Sequence, residues 1–184
     1  MRELSLNVLD IAQNSISANA TLIEIEVLEN TVSKELVIGI YDNGKGMTPE
    51  QVQNVQDPFF TTRTTRKVGM GIPLFKLAAE QTGGSLEITS EVGVGTRVCT
   101  VFKTDSIDFT PLGDMDSTII MLITMNTDRD FTYRFGIDEN EFTLSTGELK
   151  GILGDVPLSE PSVTQWIREY LSEQTQNIRG GVDK

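Results

Sequence analysis

Apolar positions recur at helical spacing near the start of the chain. Leu4, Val8, Leu9, Ile11, Ala12 and Ile16 form one stripe, which predicts a helix over 4–18. The run Thr21-Leu22-Ile23-Glu24-Ile25-Glu26-Val27-Leu28 alternates instead, as a strand with one wet face does. A turn over 30–34 leads into Glu35-Leu36-Val37-Ile38-Gly39-Ile40, read with Tyr41 and Asp42 as a buried strand. Thr48 before Pro49 suits a helix N-cap and predicts a short helix to about Val55. Residues 57–68 have no apolar period: Thr61, Thr62, Arg63, Thr64, Thr65, Arg66 and Lys67 follow two aromatics, Phe59 and Phe60. That suits either an exposed basic loop or a segment that closes over an anion, anchored by the two rings. Gly69-Met70-Gly71-Ile72-Pro73 then opens a helix running to about Gln81 and stopped by Gly83-Gly84. Two strands follow over 85–90 and 96–102, separated by Glu91-Val92-Gly93-Val94-Gly95. This order predicts an α/β (α+β) two-layer sandwich, a mixed β-sheet covered by helices on one face.

Beyond residue 104 the pattern changes. A connector over 104–113 precedes the run Ile119-Ile120-Met121-Leu122-Ile123, which has no period and reads equally as strand or as a helix capped by Asp116 or Ser117. Residues 131–135 and 141–144 alternate about Asp138-Glu139-Asn140, a hairpin signal. Ser145 with Glu148 has capping-box spacing for a helix ending near Gly154. After Pro161, Val163, Trp166, Ile167, Tyr170 and Leu171 share one helix face. That face is expected to dock on the hairpin, or else to offer Trp166 and Tyr170 to a partner. The predicted organisation is therefore a first domain over 1–104 and a small α+β appendage over 105–184.

Charge sharpens that division. Of the 184 residues, 1–104 carry 9 basic and 12 acidic side chains, and 105–184 carry 6 and 15, so the net charges are -3 and -9. So acidic a second half argues against nucleic acid and against anionic membrane as partners. No apolar stretch reaches the roughly 20 residues of a bilayer span. The N-terminus is broken by Asn7 and Asp10 too early for a signal h-region, so a cytoplasmic location is expected. The chain has no His and a single cysteine, Cys99. A His-based triad, a His-ligated zinc, a phosphorylated His and an intrachain disulfide are thereby excluded within it.

The stretch most suggestive of chemistry is Tyr41-Asp42-Asn43-Gly44-Lys45-Gly46-Met47, just past a strand end. A carboxylate there can accept from an exocyclic amine, and glycines let a flat ring lie against the backbone. Asp-Asn-Gly is also a common hairpin turn. Asp10 and Asn14, four apart, share one face of an otherwise apolar helix. Glycines at 69 and 71 leave the free amides of a helix start open to an anion, although neither a Walker A loop nor GxGxxG is present.

Taken in order, these segments resemble the ATP-binding domain of the gyrase, Hsp90, histidine kinase and MutL superfamily, the Bergerat fold. Asp10-Ile11-Ala12-Gln13-Asn14-Ser15 resembles its N box, and Asp42-Asn43-Gly44-Lys45-Gly46 its first glycine box. Asp57-Pro58-Phe59-Phe60-Thr61-Thr62-Arg63 resembles the F box, Gly69-Met70-Gly71 the second glycine box, and Gly93-Val94-Gly95-Thr96 the final turn.

The resemblance implies ATP and Mg²⁺ as ligands. By it, Asp42 accepts from the adenine amine, Gly46 passes close under the ring, and Thr96 shares the water network. Asn14 is the implied Mg²⁺ ligand through its amide oxygen, the donor a hard cation prefers. Gly69, Met70 and Gly71 offer amides to the phosphates, while Arg63, Arg66 and Lys67 are lid cations, Lys67 in a catalytic role. Gly44, Met47, Phe59, Thr62 and Ile72 complete the implied nucleotide site. Asp10 stands where hydrolysing branches carry a Glu base, one methylene longer, so its reach as a base is in question.

Only 22 residues, 47–68, separate the glycine boxes, which is more similar to sensor histidine kinases and anti-sigma serine kinases. The N box begins close to residue 1, so an upstream dimerising module with a phosphorylated His is expected to be absent. Three function classes remain open: a kinase passing the γ-phosphate to a partner protein, a slow ATPase using Asp10, and a nucleotide-gated interaction switch. A homodimer is possible in each.

Overall fold

The computed structural model describes residues 3–59 and 71–182. Its elements are α1 (Leu4–Ser17), β1 (Leu22–Asn30), β2 (Glu35–Asp42), α2 (Pro49–Val55), α3 (Gly71–Gln81), β3 (Ser85–Glu91), β4 (Gly95–Lys103), α4 (Met115–Met125), β5 (Asp130–Ile137), β6 (Asn140–Ser145), α5 (Thr146–Leu153) and α6 (Pro161–Val182). Among the described residues no helix is long and apolar enough to cross a membrane.

All six strands belong to one mixed sheet, ordered β3-β4-β2-β1-β5-β6. Every pairing is antiparallel except β1 with β5, which runs parallel from Leu22 opposite Asp130 to Glu29 opposite Ile137. The acidic second part is thus continuous with the first part's sheet, and the composition shift near residue 105 falls in a connector rather than at a break in the ladder. Two sharp hydrogen bonds reinforce the seam: Thr31 donates from its backbone N–H (2.8 Å) and its hydroxyl (2.6 Å) to Asp138 in the β5–β6 turn.

The alternation read in the sequence sets one face of the sheet inward. Ile23, Ile25 and Val27 of β1, Ile38 and Ile40 of β2, and Tyr133 and Phe135 of β5 are almost fully buried. Val8 and Ile11 of α1, Phe75 of α3, Leu122 and Ile123 of α4, and Ile167 and Leu171 of α6 cover them. The opposite face carries polar side chains. Tyr41 donates to Glu26 (2.9 Å), Arg97 lies 4.1 Å over the Tyr41 ring, and Arg134 pairs with both Glu26 and Glu141. The expectation of helices on a single face of a mixed sheet holds.

Element boundaries differ from the sequence reading where caps decide them. The ambiguous run over 119–123 is helical, and its cap is Asp114 rather than Asp116 or Ser117. Asp114 accepts from the backbone N–H of Ser117 (3.0 Å) and from its hydroxyl (2.7 Å), starting the helix at Met115. Helix α6 docks on the hairpin as expected, with Tyr170 edge-on to Phe142 and Trp166 stacked on Tyr170 at the margin.

Asp114 and Asp116, two residues apart, respond to pH in opposite senses. The Ser117 hydrogen bonds hold the Asp114 carboxyl below its ordinary value, so its stabilisation is present above about 3.9 and is lost as pH falls through the lower folded value. Burial pushes Asp116 up, although Thr175 donates to it (3.1 Å). Its protonated form is favoured on folding, so that contribution is complete below about 3.9 and lost as pH rises through the raised value. Asp114→Ala should therefore cost about 1 kcal/mol at neutral pH. Asp116→Asn should raise the urea midpoint at neutral pH and leave it unchanged in acid. A lowered neutral-pH midpoint for Asp116→Asn would show that this charge is net favourable.

Candidate functional site

Strand β2 delivers Asp42 at its C-terminal end, and α1 passes beneath with Ser15 in phase with the buried Val8 and Ile11. Ser15, 3% exposed, donates its hydroxyl to Asp42 Oδ2 at 2.5 Å. The N–H of Gly44 donates to Oδ1 at 2.8 Å. Each carboxylate oxygen is held by one donor and keeps acceptor capacity for a third group.

The loop after β2 is hung on the turn that follows α1. Lys45 N–H donates to the Ala18 carbonyl (2.9 Å), and Asn43 Oδ1 accepts from the N–H groups of Thr21 (2.8 Å) and Leu22 (3.0 Å). On the other side, Gly93 N–H donates to the Lys45 carbonyl (2.8 Å) and Met47 N–H to Ser90 Oγ (2.8 Å). Thr96, cross-strand partner of Asp42, lies with its hydroxyl 2.7 Å from Ser90 Oγ.

Asp42, Ser15, Lys45, Met47 and Thr96 of this network line a cleft of about 260 Å³. Ile11, Ile40, Met47, Val55, Ile72 and Val98 give it apolar walls, and Asn14, Ser15, Asp42, Lys45 and Thr96 its polar points. An apolar slot with a pre-oriented carboxylate at its floor fits a flat heterocycle that presents an amine. Gly71, the first residue of α3, packs on Asp10: a Cβ there would lie 3.1 Å from the Asp10 Cβ. The exposed Asp10 thus stands beside the start of α3. Among the described residues no group of three His, Cys, Asp or Glu side chains is placed to cage a metal. A metal here would lean on few protein donors and on its ligand's oxygens, the way Mg²⁺ is ordinarily held.

Of the residues singled out from sequence, Asn14, Asp42, Gly46, Met47, Ile72 and Thr96 all line the cleft. Gly44 supports Asp42 from behind, and Asp10 and Gly71 adjoin each other. Phe59 is not brought to the cleft: its ring is 84% exposed, and its N–H turns back to Asp57 Oδ1 (2.9 Å). Thr62, Arg63, Arg66, Lys67, Gly69 and Met70 lie outside the described residues. Ser15, Lys45 and Ser90 were not foreseen. Ser15 had a legible signal, a hydroxyl in phase with the buried stripe of α1.

Comparison with known proteins agrees with this geometry. Residues 1–106 match the family described as histidine kinase-, DNA gyrase B-, and HSP90-like ATPase. Sensor protein SrrB of Staphylococcus aureus strain NCTC 8325 / PS 47 is 38% identical over 78 residues, which is 40% of this chain and 13% of that protein. SrrB of strain COL matches to the same extent. A crystal structure of the N-terminal domain of a DNA repair protein superposes with a TM-score of 0.51 at 17% identity, covering 79% of this chain and 53% of that one. That likeness is one of fold and extends past residue 106 into the second part of the chain.

Proposed function

Because the chain belongs to the histidine kinase-, DNA gyrase B- and HSP90-like ATPase family, we propose that it binds ATP with Mg²⁺ and passes the γ-phosphate to a partner protein. The observation that carries the binding claim is Asp42, fixed by Ser15 and Gly44 at the floor of an apolar slot. In this reading Asp42 accepts from the adenine amine, Gly46 and Met47 bound the ring, and Thr96 completes the polar network. Asn14, which lines the cleft, would supply an amide oxygen to Mg²⁺. Following the resemblance, the amides of Gly69, Met70 and Gly71 would meet the phosphates, and Phe59, Thr62, Arg63, Arg66 and Lys67 would complete the nucleotide site.

Phosphotransfer is supported by the likeness to a sensor protein, and with no His among these 184 residues a phosphorylated His would lie outside them. The acidity of 105–184 favours a protein over nucleic acid or anionic membrane as that partner. We assign nucleotide chemistry to 1–104, regulation or partner binding to 105–184, and regard a cytoplasmic homodimer as compatible with both.

Titration calorimetry with ADP and a non-hydrolysable ATP analogue, with and without Mg²⁺, tests the proposal. Magnesium-dependent binding is expected; silence from both nucleotides would sink it. One observation favours a second reading, a slow ATPase, since the exposed Asp10 carboxylate sits beside the start of α3. There, Asp10→Asn should abolish phosphate release and leave ATP affinity nearly unchanged. Release that survives the change would remove Asp10 as the base.

A further inference from the structure

Arg129 sits in the turn between α4 and β5, well outside the residues matched to the ATPase family. Its side chain is only 18% exposed. Nη1 donates to the carbonyl of Ala20, a fully buried residue in the turn after α1. The backbone of Arg129 is itself pinned: Lys150 Nζ donates to its carbonyl (3.0 Å) and to Asp130 Oδ1 (2.9 Å). The next N–H, of Asp130, donates to the Thr21 carbonyl (2.8 Å).

The gripped turn is the same one that carries the base end of the cleft. Ala18 accepts from Lys45 N–H, and Thr21 and Leu22 donate to Asn43. Asn19 within it holds φ +63, the left-handed conformation that Asn adopts at helix C-termini, and the N–H of Ala20 closes the end of α1 on the Ser15 carbonyl (3.2 Å). Arg129 also leaves a buried Nε without a hydrogen-bond partner among the described residues. Its nearest carboxylate, on Asp128, is 4.0 Å away and 76% exposed. A guanidinium with one buried, unpaired donor is a costly way to stabilise a fold. It makes sense as a handle on one particular carbonyl.

We propose that Arg129 is a positioning residue: by holding the 18–22 turn it sets the loop 43–45 and hence the Asp42 carboxylate, coupling the second part of the chain to the nucleotide cleft. This rests on the reading of the cleft as a nucleotide site.

The test uses the full chain carrying Arg129→Met, which keeps an apolar stem and removes the donors. Arg129→Lys serves as the conservative rescue. Arg134→Met is the control, on the neighbouring β5 but ion-paired on the open face of the sheet. Two readouts are taken: amide hydrogen exchange without nucleotide, and calorimetric affinity for adenosine and for an ATP analogue with and without Mg²⁺. Arg129→Met should speed exchange selectively at Thr21, Leu22 and Lys45. It should weaken adenosine and the ATP analogue by the same factor, about fivefold or more, independent of Mg²⁺. Arg129→Lys should recover part of both effects, and Arg134→Met should show neither.

Exchange that rises evenly across the sheet, with affinity unchanged, would reduce Arg129 to a structural residue and overturn the inference. Binding by the wild type with equal affinity in Arg129→Met would overturn it alone. A wild type that binds no adenine nucleotide would overturn the reading of the cleft, and this inference with it.

Discussion

Asp42→Asn should weaken the binding of adenosine, ADP and ATP alike by about 1–3 kcal/mol, the scale of a buried hydrogen-bonded group losing its role. Both carboxylate oxygens are committed on the protein side, Oδ2 to the Ser15 hydroxyl and Oδ1 to the Gly44 amide. An asparagine can keep its oxygen on one of these and must turn its NH₂ toward the other. With the oxygen on Gly44, the NH₂ meets Ser15, whose hydroxyl can reverse and accept, but the base amine then faces a donor instead of an acceptor. With the oxygen on Ser15, the NH₂ confronts the Gly44 N–H, and loop 43–45 must shift. The first arrangement removes the acceptor from the base, the second displaces the loop beside it, and both leave the phosphate end alone. The loss should therefore be equal with and without Mg²⁺, and the unfolding midpoint should change little. Unchanged affinity in calorimetry would remove the adenine assignment of this cleft.

The parts of this site that were legible in the sequence are those whose signals are local. A carboxylate at a strand end followed by glycines is visible within seven residues, and Asn14 is visible because it breaks the apolar face of a short helix. Ser15 escaped because its role lies across 27 residues of chain, in the hydrogen bond to Asp42, and a hydroxyl inside a helix is locally unremarked.

The same reason hides the sheet order. Strands β1 and β5 each show one buried and one wet face, which either would show beside any neighbour, so their parallel pairing has no local signature. Helix α4 was ambiguous because Ile119, Ile120, Leu122 and Ile123 are all buried, which erases the helical period. The composition break near residue 105 marks where charge changes, and the ladder is indifferent to charge on its outer face. Arg129 is the clearest case: a lone cation in a turn, its partner is a carbonyl more than a hundred residues away.

Gly46→Ala should be the more damaging change for the cleft as a whole. Gly46 holds φ +74, and an added Cβ would lie 2.0 Å from the Glu91 carbonyl oxygen and 2.6 Å from its carbon. Those neighbours are backbone, so no side chain can rotate out of the way. The left-handed conformation alone costs an alanine about 1–2 kcal/mol. Relief of the clash must come from opening the seam between the 45–47 loop and the β3–β4 turn, where Gly93 N–H meets the Lys45 carbonyl and Met47 N–H meets Ser90. Opening that seam moves Met47 and Thr96, two walls of the cleft. Affinity for adenosine should fall by about 2 kcal/mol or more, roughly thirtyfold, with a lowered melting temperature, since backbone strain and overpacking add. Gly93→Ala separates these causes. Gly93 has nearly the same conformation, φ +82, but a Cβ there meets nothing within 4 Å. It should lose about 1–2 kcal/mol of stability from conformation alone and keep its affinity. If Gly46→Ala destabilises the fold yet binds adenosine as Gly93→Ala does, the seam is structural and Gly46 is not the shelf for the base. If it loses binding that Gly93→Ala retains, close backbone approach at Gly46 is what shapes the site.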